Sequence, residues 1–347
     1  MRDVRRRSGG MDKPTCVTVA LVATIACAIA GVATTPGAAS RQEVRVRAGK
    51  VVASIPVPPG GGGLAVGAGA VWSASNVTST LTRIDPGRNM VVDSSKVGRV
   101  NACPEFPRSC GEVAAGNGAV WVSRPSDGTV LRVDPQSNSI SATIPVGPDP
   151  TPIAVTPGAI WVANIGGPSV SRIDPATNRV VATISVGPAD GCCFRHMAMS
   201  SGGGSVWVTV PKMRALVRID PAINAVTATI RLPQAPCGLV AADAHAVWAA
   251  GGYADDCASD VARIDAATNR RAGTVKGLEG PIGLVLGFGS LWVADLGSKE
   301  IDRVNLRTRK IVARLPVRGV PISLAVGFGS VWVRDDTGRV LRIKPQP

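Results

Sequence analysis

The chain has 347 residues, a formal net charge of +14 and an aromatic content of only 3%, and seven of those aromatics are tryptophan. Beyond the N-terminal segment no apolar run is long enough to span a bilayer, and no segment keeps a 3.6-residue period. Those two features exclude a polytopic membrane protein and a helical bundle, while the length alone would allow two domains.

The chain opens with Arg2, Arg5, Arg6, Arg7 and Lys13, ahead of an apolar run from about Cys16 to Ala33 and small residues through Ala39. This is the layout of a secretory signal peptide over residues 1–39. The run is also at the lower edge of membrane-spanning length, so an uncleaved anchor is the alternative. Residues 40–49 read as a linker. The mature chain is expected to be secreted or extracytoplasmic, or held at the membrane through the N-terminal segment. Residues 1–39 carry five basic and two acidic groups, which leaves the remainder near +11. A basic surface suits an anionic polymer of the envelope. Nucleic acid is not expected, because the chain is exported and non-tryptophan aromatics are scarce.

From residue 50 the sequence repeats. Trp72, Trp121, Trp161, Trp207, Trp248, Trp292 and Trp332 occupy one place in one phrase, at gaps of 49, 40, 46, 41, 44 and 40 residues. A period near 40–45 marks a repeat array. Each unit has four short, β-branched segments with Gly, Pro, Asn and Asp between them. In the third unit these are Pro152–Val155, Ile160–Ala163, Val170–Ile173 and Val180–Val186. Four antiparallel strands repeated radially make a β-propeller blade. The seventh unit ends one strand short, and Val51–Val57 supplies the missing segment. The expected fold is all-β: a seven-bladed propeller over residues 50–343, closed by the N-terminal strand on the C-terminal blade, with a tail at 344–347. Closure removes an edge that would otherwise invite aggregation. Seven tryptophans at one strand position read as filling between sheets. Seven arginines heading the third-strand phrase, from Arg83 to Arg342, read as a structural contact repeated in every blade.

Six cysteines remain after residue 39: Cys103, Cys110, Cys192, Cys193, Cys237 and Cys257. An even number in an exported chain suggests disulfides. All six fall in loops that join a fourth strand to the next first strand, or a second strand to a third, and those loops share one face. Cys103–Cys110 is expected. For the other four, Cys237–Cys257 leaves a strained vicinal bridge at Cys192–Cys193; the competitor cross-links the loops of blades 4 and 5. The same face holds the longest loops, where binding residues concentrate. The position three after each tryptophan should approach the central mouth, and there Arg124, Asn164, Asp295 and Asp335 break the repeat. Arg195 and Tyr253 could join them from the loops as ligand contacts. His196 is the candidate general base, with Asp255 or Asp335 to orient it.

Blade 3 reads PIAVTPGAIWVAN from Pro152, then VSRIDPATN from Val170 and VATISVG from Val181. This resembles the YVTN-repeat propellers and the streptogramin B (virginiamycin B) lyase-like propellers, over about residues 50–343. The lyase members open a depsipeptide ester ring by elimination with a magnesium ion, using histidines and glutamates at the mouth of the funnel. The resemblance therefore implies a C–O lyase with Mg2+ as one possible activity. This chain offers one histidine, His196, where that group uses a pair. The leading expectation is a monomeric binding or scaffold module. It would present its disulfide-bearing face to a protein, a peptide or an envelope polymer. Two other readings are the lyase and a redox or cofactor-binding propeller built on a Cys192–Cys193 bridge.

Overall fold

The computed structural model describes residues 49–98, 112–188, 197–252 and 257–346. They form seven four-stranded antiparallel sheets. Within each blade the strands lie in chain order, as in Pro281–Gly287, Ser290–Asp295, Glu300–Asn305 and Ile311–Pro316 of blade 6. The first strands touch one another around the ring and so are innermost. Blade 7 takes its outer strand from the other end of the chain. Gly49–Pro56 pairs antiparallel with Arg339–Pro345, from Gly49 opposite Pro345 to Pro56 opposite Arg339. The closing strand thus begins at Gly49, before Val51, and the last strand runs on to Pro345, because the ladder extends through the Lys50–Lys344 pair.

The core is divided into seven layers, each between two neighbouring blades. Trp161 of blade 3 packs with Val206, Val208 and Val217 of blade 4, and Trp332 of blade 7 packs with Leu64, Val71 and Ile84 of blade 1. Every tryptophan lies in the layer toward the following blade and is essentially buried. Six of the seven indole N–H groups are satisfied within their own blade. Trp72 donates to the Gly67 carbonyl at 3.0 Å, and Trp161 to Thr156 Oγ1 at 2.9 Å. Trp248 Nε1 is buried without a hydrogen bond.

Each tryptophan stands directly across from the repeated arginine of the third strand, as Trp161 does from Arg172. The guanidinium lies over the indole face at 4.9–5.8 Å from the ring centre in all seven blades. From there it reaches the next blade. Arg172 donates to the Pro221 carbonyl at 3.0 Å and Asn224 Oδ1 at 2.6 Å, both in the turn between the third and fourth strands of blade 4. Arg132, Arg218 and Arg342 repeat this toward blades 3, 5 and 1. At the step after the arginine the outer strand carries one extra residue in all seven blades, Val181 opposite Arg172–Ile173 in blade 3 and Val52 opposite Arg342–Ile343 in blade 7. The arginine shares a sheet face with the tryptophan across from it, and that face looks toward the following blade. The accepting asparagines Asn89, Asn178, Asn224 and Asn269 all have φ near +55°. Asparagine tolerates that conformation better than most residues, which explains its place in the repeat.

The Arg172 contact should be worth more than the Arg263 contact. Arg309 takes the asparagine position in the blade 6 turn, and among the described residues Arg263 hydrogen-bonds to no part of that turn. Arg172→Ala is expected to cost about 2–3 kcal/mol and Arg263→Ala about 1 kcal/mol, from one cation–π contact with or without the added hydrogen bonds. Equilibrium unfolding in denaturant checks the difference, and equal losses would show that the inter-blade hydrogen bonds contribute nothing.

Candidate functional site

Antiparallel order puts the loops between second and third strands, and those linking successive blades, on one face, here called the upper face. Cys237 lies in the loop entering blade 5 and Cys257 in the loop after that blade's second strand. They form a disulfide with a Cα–Cα distance of 5.8 Å. Of the pairings open for these two cysteines, the structure takes the one within blade 5. The linked loops are also joined through backbone: Cys237 N–H donates to the Gly251 carbonyl at 2.7 Å, and Gly251 N–H to the Asp260 carbonyl at 2.9 Å. The chain passes so closely here that a Cβ on Gly251 would sit 1.8 Å from the Ala258 carbonyl oxygen. Beside the disulfide is a small cleft of about 40 Å³, lined in part by Pro233, Gln234, Pro236, Asp260 and Arg271. That volume holds only a few waters. Burial pushes the Asp260 carboxyl above the usual carboxylate range, against the pull of Arg271 and Lys276.

The residues three after the tryptophans are tied within their own blades. Asn164 is fully buried and donates from Nδ2 to Ser169 Oγ at 3.0 Å and Ser171 Oγ at 2.9 Å. Asp335 Oδ1 accepts from Thr337 N–H, Thr337 Oγ1 and Arg339 N–H, shaping the turn into the last strand. Arg124 pairs with Asp127 at the start of the next turn. Asp295 Oδ2 accepts from Glu279 N–H at 2.8 Å. These four residues belong to blades 2, 3, 6 and 7, and none hydrogen-bonds to another. His196, Arg195, Tyr253, Asp255, Cys103, Cys110, Cys192 and Cys193 lie outside the described residues.

Two features of the upper face went unread in the sequence. The first is Arg334, whose side chain is fully buried between blades 7 and 1. Its Nη2 donates to the carbonyls of Pro58 at 2.9 Å and Gly60 at 2.8 Å, and Nη1 to Ser73 Oγ. Burial lowers its pKa to about 10. Arg334 thus pins the strap that leads from the closing strand to the first inner strand. The second is a charged column in blade 6. The residues preceding the repeated arginine are Thr82, Leu131, Ser171, Val217, Ala262, Asp302 and Leu341, so one carboxylate stands among uncharged side chains. Its cross-strand partner is Arg314, where blades 2 to 5 carry Thr143, Thr183, Thr229 and Thr274. Aligning those two columns would have revealed the pair. Arg314 Nη1 lies 3.2 Å from Glu300 Oε2 and 3.7 Å from Asp302 Oδ1. Asp302 is fully buried beside Asp295, to whose carboxylate its protonated carboxyl donates a hydrogen bond. Burial raises its pKa from 3.8 to about 7, and the charges of Asp295 and Glu300 push the same way against Arg314. Among the described residues no group of three or more His, Cys, Asp and Glu is arranged to hold a metal ion. The described residues therefore do not fit a magnesium site.

Asp302 sets a pH signature. Between about pH 4 and about pH 7 the folded chain keeps a proton here that the unfolded chain has released, so this group's contribution to stability falls as pH rises across that window. Asp302→Asn removes the titration. The variant should gain on the parent chain steadily from pH 4.5 to pH 7.5, by about 3 kcal/mol. Denaturant unfolding at several pH values measures the gap; a constant gap would show that Asp302 titrates normally.

No family model matches the sequence, and no curated protein matches it. Solved structures do share the fold. A streptogramin B lyase structure superposes with a TM-score of 0.67 at 15% identity, covering 84% of this chain and 95% of that one. Virginiamycin B lyase from Staphylococcus aureus gives 0.66 at 15% identity, over 85% of this chain and 99% of the other. BamB from Moraxella catarrhalis gives 0.58 at 16% identity, over 82% and 84%. The seven-bladed propeller expected from the repeat is the architecture observed, and it is shared with these structures. At such identities the likeness concerns architecture, and one architecture hosts many functions.

Proposed function

We propose that this chain is an exported binding module that presents its upper loop face to a protein, a peptide or a polymer of the cell envelope. The observation that carries the reading is the Cys237–Cys257 cross-link. It ties two loops of one blade together on a scaffold whose core is already complete, so its effect is concentrated on the loops. Loops fixed in place bind with less loss of conformational entropy. The signal-like segment over residues 1–39 and the use of a disulfide both suit an oxidising compartment outside the cytoplasm. Among the described residues no helix is long and apolar enough to cross a membrane.

The repeat-breaking Arg124 and the small cleft beside the disulfide, where Gln234, Asp260 and Arg271 meet an otherwise apolar lining, supply contacts that differ from blade to blade. Such a surface recognises one partner rather than a repeating one. The lyase reading would rest on His196 and Asp255, while Asp335 already has its carboxylate engaged in a turn. No observation on the described residues favours it over binding.

Pull-down from an envelope extract tests the proposal with three forms of the chain. Wild type and a lower-face variant, Arg88→Ala, should retain a common partner. A variant carrying Arg124→Ala with Cys237→Ser and Cys257→Ser should lose at least about tenfold of it, the equivalent of about 1.4 kcal/mol, while staying folded by circular dichroism. Equal recovery by all three would remove the upper face from consideration.

A further inference from the structure

The lower face carries the turns between first and second strands, near the axis, and between third and fourth strands, farther out. In blades 1 to 5 the outer turn begins with an aspartate: Asp85, Asp134, Asp174, Asp220 or Asp265. In four of these blades backbone N–H groups lower that carboxylate's pKa. Blades 6 and 7 break the pattern. Asn305 and Lys344 take the aspartate's place, and Arg307, Arg309 and Lys310 follow in blade 6. Lys50 lies directly across from Lys344 on the closing strand. Like charges facing each other across a ladder destabilise a sheet. No Asp or Glu occurs among the described residues of the blade 6 turn, or of the two strand ends that meet at the foot of blade 7, to neutralise them.

The inner turns of the same two blades are also exceptional. Each reads Gly-Phe-Gly-Ser, with Phe288 at φ 52° and Phe328 at φ 51°. A turn of this type asks for Asn or Gly where φ is positive, and blade 2 uses Asn117 there at φ 50°. A bulky side chain in that conformation is a marked exception. Both phenylalanines remain 42–43% exposed. Two strained, exposed aromatics and a cluster of unneutralised cations therefore share one sector of the lower face. Each feature lowers stability, and such departures gather where function requires them.

We propose that the lower face of blades 6 and 7 seats on an anionic lipid surface. Phe288 and Phe328 enter the headgroup layer, and the surrounding lysines and arginines meet lipid phosphates. Charge complementarity selects an anionic surface, and paired aromatic anchors select a lipid one over a soluble polymer. The chain also reaches Gly49 from its basic and apolar N-terminal sequence at this same lower end, since Gly49 pairs with Pro345 at the foot of blade 7. The proposal is independent of the upper-face reading and leaves that face directed away from the membrane.

Vesicle co-sedimentation decides it. A chain starting at Arg41 retains the closing strand and all seven inter-blade layers. It should sediment with vesicles of one part phosphatidylglycerol to two parts phosphatidylcholine, and about tenfold less with phosphatidylcholine alone. Phe288→Asn with Phe328→Asn relieves the turn conformation, so this variant should melt at the same temperature or higher and yet bind about tenfold less. Arg307→Gln with Arg309→Gln and Lys310→Gln should also weaken binding. Equal sedimentation with both vesicle types would overturn the proposal. So would asparagine variants that bind as well as wild type, the result expected if the cations served a soluble anionic polymer.

Discussion

The contact between an arginine and an indole in one blade and the turn of the next blade organises the whole molecule. A single four-stranded sheet cannot bury both its faces. Each tryptophan fills the space toward the following blade, and the arginine stacked on it carries hydrogen bonds into that blade's outer turn. Stability is therefore distributed over seven similar interfaces, and only a closed ring satisfies all of them. The last interface, Trp332 and Arg342 against blade 1, forms only when the two ends of the chain have met.

Closure depends on two devices of different kinds. The ladder between Gly49–Pro56 and Arg339–Pro345 completes the seventh sheet. Arg334 then holds the strap from that strand to the inner ring by its Pro58 and Gly60 carbonyls. The glycines that follow let the chain pass close to blade 1. At Gly62 a Cβ would lie 2.1 Å from the Ala74 carbonyl oxygen. With the scaffold fixed in this way, the two faces are free to diverge. The upper face has cross-linked loops and repeat-breaking polar groups, and the lower face has its cationic and aromatic sector.

The fold was legible because a repeat states each structural requirement seven times. The tryptophan phrase, the missing strand in the seventh unit and the matching segment near Val51 together gave blade number and closure. The direction of the arginine contact was not legible. Sequence shows that the arginine recurs in every blade, whereas the neighbour it reaches follows from the sheet face it shares with the tryptophan, which is set only when the strands pair. The candidate site was less readable for a related reason. Repeat-breaking polar residues such as Asn164 and Asp335 look available in sequence, but local serines, threonines and backbone amides engage them once the strands pair. Asp302 and Arg334 were missed because they occupy positions that are apolar or small in other blades. Comparing every column of the repeat, and not only the one after tryptophan, exposes both.

The central claim is that the N-terminal strand is an integral part of a ring stabilised as a unit. Native-state hydrogen exchange tests this most directly. The account predicts that amides of Ala53–Ile55 and Val340–Ile343 exchange with the same opening free energy as those of blade 3, such as Ile160–Ala163. Exchange of the N-terminal strand through a separate low-energy opening, with blade 3 still protected, would contradict it.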